Sequence, residues 1–220
     1  MLVCDYSAGA DMILARPEFK GMEELRDRRF AVEPEALGAY LLARALELSG
    51  LTVRDVHVVP TRMAEMEKLM ARRGADAAVV FEPVASRLLS EGHVRVFDST
   101  RIPGEVVDVL VTRVGILESR GPLLRRFVAE WFHAVAYFRE HPEDAARRVA
   151  DRGWLSPAEF LRGLQGLKLA DRRENQRAFG RGPDGLASNL LRLEQVMLKQ
   201  RLLSATVELE SLLDSRLVAP

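Results

Sequence analysis

A chain of 220 residues, 48% hydrophobic and 29% charged, has ordinary globular composition and enough length for one large domain or two small ones. Its 32 basic and 32 acidic residues cancel, which argues against a nucleic-acid partner held by phosphate neutralisation. The single cysteine, Cys4, cannot close an internal disulfide, the four histidines are scattered, and there is no P-loop or GxGxxG motif, so no metal and no cofactor is expected.

In chain order, an apolar β-run, Leu2–Tyr6, carries Cys4, which reads as a structural thiol because nothing nearby in sequence would lower its pKa. The stretch Asp5–Arg16 then reads as a loop in which Gly9 permits a tight turn between Ser7 and Asp11. Two readings of it stand side by side. Either the Ser-x-Gly loop presents a hydroxyl and N–H groups to an anion, or Ser7 makes a turn and Asp11 caps the next element. Phe30–Val32 are apolar and β-compatible, Glu33 stands where the strand runs out, and Pro34 and Gly38 bracket the turn into a helix over about Leu37–Ser49. Leu37, Leu41, Ala45 and Leu48 recur at helical spacing, and Gly50 is a natural C′ residue.

A second strand, Val56–Val59, precedes a helix opened by Pro60 and Thr61, with Met63, Met66 and Met70 on one face and Gly74 at its end. The pattern then repeats. Ala77–Phe81 is a strand, Glu82 arrives at its end, Pro83–Ser90 is a helix, and Val94–Phe97 is a further strand. Strands separated by helices of this length imply right-handed crossovers and a mainly parallel sheet. Open sheets of that kind take ligands at the carboxyl ends of their strands, which places Glu33 and Glu82 where a small molecule is gripped.

Turn residues at Asp98–Glu105 precede a last β-run, Val106–Val111, broken by Asp108; beyond Thr112 the chain reads as helical to its end. Leu123, Leu124, Phe127, Val128, Trp131, Phe132, Val135 and Phe138 make an apolar face too broad for an exposed helix. Pro142 starts another helix, Ser156-Pro157 a third with Ser156 as N-cap, and Leu186–Leu203 a fourth. Arg172, Arg173, Arg177 and Arg181 alternate with Asp171, Glu174 and Asp184, the pattern of a solvated face.

The succession DYSAGADMILARP, RRFAVEPEALGAYLLARALELSG, GADAAVVFEPVASRLL, VRVFDSTRIPGEVVDVLVTR and WFHAVAYFREHPEDAARRVA resembles ABC-transporter solute-binding proteins of the nitrate/sulfonate/taurine type, a group that includes thiamine-pyrimidine-precursor binders. The resemblance implies an α/β fold of the type II periplasmic binding protein kind, with two lobes and a ligand in the cleft between them. It assigns residues 22–99 to the second lobe, and residues 1–21 and 100–220 to the first, which lacks the family's opening strands and carries a helical C-terminal region. By the same resemblance Ser7 and Ala8 form a first-lobe loop, Glu33 and the turn Ala36, Leu37 and Gly38 form a second-lobe edge, Glu82 accepts an amine or amidine, and Asp108 lies on the strand returning to the first lobe; the alternative is a structural role, with Glu82 capping its own helix and Asp108 fastening the hinge.

A helix N-terminus at Ala36–Gly38 can offer N–H groups to a sulfonate or carboxylate, whereas acids at 33, 82 and 108 suit a cationic, zwitterionic or heteroaromatic ligand better than nitrate. The implied partners are a small organic ligand, such as a sulfonate, taurine, nitrate or a pyrimidine, and an ABC permease and ATPase. The implied location is periplasmic or at the cell surface, although the chain as written has no signal peptide and reads as cytoplasmic. A ligand-sensing or truncated, non-transporting relative is the alternative. An enzyme resembling a pyrimidine synthase would need a Schiff-base lysine beside histidines, and Lys20, Lys68, Lys168 and Lys199 are not so placed. Because LVCDY begins with no element before it, self-association as a homo-oligomer is also expected.

Overall fold

The computed structural model describes residues 2–33, 37–152, 156–180, 182 and 185–218. The chain divides into two compact units, one of Met1–Tyr6, Val107–Glu194 and Thr206–Pro220, the other of Ser7–Val106 and Gln195–Ala205. These boundaries differ from those expected at residues 7–21, 100–106 and 195–205. At residues 7–21 the reason is a strand absent from the sequence reading: Met12–Ala15 pairs along its whole length with two strands of the second unit and therefore belongs there.

The second unit is built on a five-stranded sheet. Its strands are β2 (Met12–Ala15), β3 (Arg29–Val32), β4 (His57–Pro60), β5 (Ala77–Val80) and β6 (Val94–Asp98), in the order β4-β3-β5-β2-β6. β3 runs parallel to β4 and β5, while β2 is antiparallel to both β5 and β6. The sheet, expected to be mainly parallel, is thus mixed, because β2 enters against the direction of its neighbours. Every residue of β2 and β5 is buried. Alternate side chains go to opposite faces: Ala78 and Val80 join Met66, Met70, Ala85 and Leu88 of helices α2 (Met66–Ala71) and α3 (Val84–Ser90), and helix α1 (Leu37–Leu48) packs on β3 and β5. α2 is shorter than its methionine spacing suggests, with Met63 in a preceding 3₁₀ turn.

α1 ends as its sequence dictates. Gly50 takes φ +67°, its N–H donates to Glu47 O, and the Leu51 N–H returns to Leu46 O at 2.8 Å. The buried face of α1 is nevertheless broader than the expected stripe and turned from it: Tyr40, Leu41, Leu42, Ala45 and Leu46 are buried, while Leu37 and Leu48 at its two ends are exposed. Two ionic clusters lock this unit. Glu105, almost buried, takes Arg44 Nε at 2.7 Å, the second Arg44 nitrogen at 2.9 Å and the Tyr40 hydroxyl at 2.7 Å, fastening residues 104–106 to α1. Asp76, at the start of β5, holds the Arg29 N–H at 3.0 Å, the Arg29 guanidinium and Arg16.

The first unit has a three-stranded sheet in the order β7-β1-β8, from β1 (Leu2–Ser7, whose last residue falls in the other unit), β7 (Val107–Leu110) and β8 (Leu167–Leu169). β1 and β7 are antiparallel, with Asp5 opposite Asp108 beside an irregularity in register. The two faces of β1 feed two clusters. Leu2 packs with Leu117, Val128 and Phe132 of α4 (Val114–Glu140), and Val3 packs with Ala170, with Ala178 of α7 (Arg172–Ala178) and with Leu186 of α8 (Leu186–Lys199). α4 breaks at Arg120 (φ −128°), two residues before Pro122, which has no N–H to give and crowds the preceding turn. Of its expected apolar face Val128, Phe132 and Val135 are buried, but Leu123 and Phe127 are exposed.

α5 (Pro142–Ala150) and α6 (Pro157–Gly163) begin at their prolines as expected, the latter with a Ser156–Glu159 capping box. β8 and α7 interrupt a region expected to be helical throughout. Here Asn175, fully buried, accepts the Val3 N–H at 2.9 Å and donates to Val3 O at 3.0 Å, standing in for a neighbouring strand at that point.

Candidate functional site

The registers of the five-stranded sheet bring one set of strand ends together. β3, β4, β5 and β6 all finish at the edge where β2 begins, since Met12 faces both Val80 and Asp98, and Val32 faces Pro60. That edge therefore collects Glu33, Thr61, Phe81, Glu82 and Ser99 together with the Ala8–Asp11 loop. It contains a small cavity of about 40 Å³, lined by Asp11, Glu33, Leu37, Gly38, Leu41, Met63, Val79 and Phe81. Three of the expected contact residues, Glu33, Leu37 and Gly38, thus meet at one site. Gly38 has a steric reason to be there, because a Cβ would lie 3.0 Å from Glu33 O and 3.3 Å from the Val32 side chain.

Glu33 is half-buried and receives a long hydrogen bond, 3.4 Å, from the Met63 N–H. Besides Asp11 and Glu33 the lining is apolar, made by Phe81, Met63, Val79 and the first turn and a half of α1. Among the described residues no lysine or arginine lines the cavity.

The loop beside it is fixed from below. Ser7 and Ser99, both buried, share a hydrogen bond of 2.7 Å between their hydroxyls; the Gly9 N–H donates to Ser99 Oγ at 2.7 Å and the Asp11 N–H to Ser7 Oγ at 3.2 Å. The Ser99 N–H closes the ring on Asp11 O at 2.9 Å. Gly9 sits at φ +111°, a conformation open to glycine and strained for other residues. Of the two readings of this loop, the turn-forming role of Ser7 is the one its hydrogen bonds display. Ala8 is exposed at its tip.

Glu82 lies one residue beyond the cavity wall, and its carboxylate accepts the Ser86 hydroxyl at 2.8 Å and the Ser86 N–H at 3.3 Å, inside the first turn of α3. Ala36 falls outside the described residues. Asp108 is on β7 of the first unit and is exposed. Arg101, in the turn after β6, lies with its guanidinium 5.6 Å from the Phe97 ring centre and is not a lining residue. Cys4 is half-buried in the first unit, and burial, then Asp5 and Asp108, push its thiol above the ordinary value, which disfavours a nucleophilic thiolate. Among the described residues no three His, Cys, Asp or Glu side chains converge as a metal site would require, and no helix is long and apolar enough to cross a membrane.

Sequence reasoning passed over Phe81, Met63 and Ser99 as site residues. Phe81 carried a signal, as the strand-end residue before Glu82; Ser99, far along the chain in a turn-rich segment, carried none.

Residues 1–152 match the model of the NMT1-like family. The chain belongs to the NMT1-like family. No curated protein matches it. Among solved structures this NMT1-like chain is similar to the periplasmic aliphatic sulphonate binding protein SsuA from Escherichia coli, with a TM-score of 0.78 at 18% identity over 97% of this chain and 68% of that one. The alkanesulfonate-binding protein SsuA from Xanthomonas axonopodis pv. citri, bound to MOPS, gives 0.69 at 18% identity over 93% and 69%. The desulfurization enzyme DSZB gives 0.66 at 21% identity over 99% and 77%. The expected resemblance to solute-binding proteins of the nitrate/sulfonate/taurine type and the α/β periplasmic-binding-protein fold are borne out by the family match and these folds. Because binders and an enzyme share the fold, it does not by itself separate binding from catalysis.

Proposed function

We propose that this NMT1-like chain is a non-catalytic solute-binding protein of an ABC import system, working outside the inner membrane with a permease and an ATPase. The observation that supports the binding site is the cavity at the strand ends of the second unit, lined by Asp11 and Glu33 together with apolar residues that include Phe81 and, among the described residues, by no cation. A lining of two carboxylates and mainly apolar residues favours a ligand with an amine, amidine or ring N–H at one end and a flat or apolar body at the other, and disfavours a bare anion. The cavity holds only a small group of the solute, such as an amino substituent, so the ligand extends out along the edge past Ala8 and Glu82.

A non-catalytic role is supported by the placement of the nucleophiles, since Cys4 lies in the other unit with a raised pKa and none of the four lysines lines the cavity.

Calorimetric titration of the purified chain with an aminopyrimidine, taurine, an alkanesulfonate and nitrate tests the reading. The aminopyrimidine or the zwitterion should bind ahead of the anions, and Glu33→Gln should weaken that binding by about 1.5–3 kcal/mol, the worth of a charge-assisted hydrogen bond. Preference for nitrate or the alkanesulfonate, with affinity raised by Glu33→Gln, would overturn it.

A further inference from the structure

At the opposite edge of the same sheet the second unit carries an open groove of about 430 Å³, lined by Thr52, Val53, Arg54, Lys199, Gln200 and Arg201. Thr52 to Arg54 come from the turn before β4 and the other three from the end of α8, so distant parts of the sequence bring three cations to one concavity with no acid in its lining. Lys199 is held at the rim by Glu47 at 3.4 Å. Among the described residues, Arg54 and Arg201 have no carboxylate partner, and both are exposed. The nearest acid in sequence, Asp55, accepts the Thr52 N–H and hydroxyl at 2.8 Å each and pairs with Arg26, so its charge is already offset.

Cations at a helix C-terminus also offset the helix dipole, which would account for Lys199 and Arg201. It does not account for Arg54, which belongs to neither end of α8. Arg201 is moreover the left-handed residue that ends the helix, at φ +58°, with the following N–H of Leu202 bonded back to Met197 O at 2.8 Å. Glycine is the residue that turn favours, and arginine there supplies charge at a conformational cost.

We propose that this groove is an anion site for a small phosphorylated or diphosphate-bearing molecule, separate from the solute-binding edge. Guanidinium pairs grip phosphoryl oxygens in bidentate fashion, Arg54 and Arg201 match a ligand of two negative charges with the Glu47-paired Lys199 beside them, and the volume falls in the range of small-molecule sites rather than that of a single ion. Val53 supplies an exposed apolar contact for the body of the ligand, and the Gln200 amide supplies a further donor.

The probe is inorganic pyrophosphate, titrated into the full chain at low ionic strength and followed by calorimetry. Saturable one-site binding is expected, weakened about tenfold or more in Arg54→Ser/Arg201→Gly, in which the glycine suits the left-handed turn and keeps the fold. The exposed pair Arg72→Ser/Arg126→Ser removes the same charge elsewhere and should leave binding within about twofold, as screened distant charges do. Absence of saturation, or equal weakening in the two double variants, would overturn the site, the first by showing no binding and the second by reducing it to a general charge effect.

Discussion

The two units meet the demands of strand burial in different ways. In the second, β3, β5 and β2 are flanked by other strands on both sides and covered by helices on both faces, so backbone donors and acceptors are paired within the sheet and the side chains are free to be wholly apolar. In the first, only β1 is interior. β7 is an exposed edge strand whose Val109 and Leu110 remain accessible, Val111 beyond it is 64% exposed, and at Val3 the pairing partner is the side-chain amide of Asn175. A sheet with enough strands is insensitive to any one side chain that borders it, whereas a three-stranded sheet supported by a helix side chain depends on that side chain.

The sharpest way to break the comparison is to strike the second unit at a buried ion pair, Arg44–Glu105, rather than in its sheet. Glu105→Ala leaves the Arg44 guanidinium, whose pKa the Glu105 hydrogen bonds hold above its usual value, with Glu47 as its remaining acid partner, and should destabilise the unit by about 3 kcal/mol in urea unfolding. A loss below 1 kcal/mol would mean that the sheet alone carries this unit. In the first unit Asn175→Leu keeps the volume but leaves the Val3 N–H and C=O without partners, which should cost about 2–3 kcal/mol. The same variant should speed amide exchange at Val3 while leaving β5 amides protected; loss of protection in both units together would erase the distinction between them.

The smallest effect concerns pH. Burial would raise the Asp76 carboxyl, but the Arg29 hydrogen bonds and the Arg16 charge outweigh it and hold it below its ordinary 3.8. A carboxyl lowered on folding contributes stability that is fully present above the unfolded value and is lost as pH falls through the folded one. The second unit should therefore lose stability as pH drops from about 5 towards 2, and Asp76→Asn should flatten that slope at the cost of a lower plateau at neutral pH. A slope unchanged by Asp76→Asn would assign the acid sensitivity to other carboxylates.

Much of the second unit was legible in its sequence. β3, α1, β5 and α3 follow from apolar runs that stop at Glu33, Gly50 and Glu82, because Pro and Gly punctuate each end. β2 was not legible. MILA is four residues long and buried on both faces, so it shows no alternation, and its neighbours Asp11 and Arg16 read as loop. Missing that strand displaced the unit boundary and concealed the mixed sheet. In the first unit LKL of β8 is too short to announce itself, and Asn175 looks like any polar helix residue until its strand partner is known. At the candidate site the sequence located Glu33, Leu37 and Gly38, since all three flank a single strand end. For Ser7 and Glu82 it left a ligand-facing and a local role open, and the hydrogen bonds the two make, to Ser99 and Ser86, are local ones.

The hydroxyl pair beneath the Ala8–Asp11 loop has an arithmetic of its own. Ser7 Oγ and Ser99 Oγ each already accept one backbone N–H, and between them they own two protons, of which only one can lie in the 2.7 Å link. The other is surplus. It belongs to Ser7 if Ser99 donates and to Ser99 if Ser7 donates, so the loop has two proton orders with equal numbers of hydrogen bonds, and the choice between them can be set by any acceptor atom brought close to the pair.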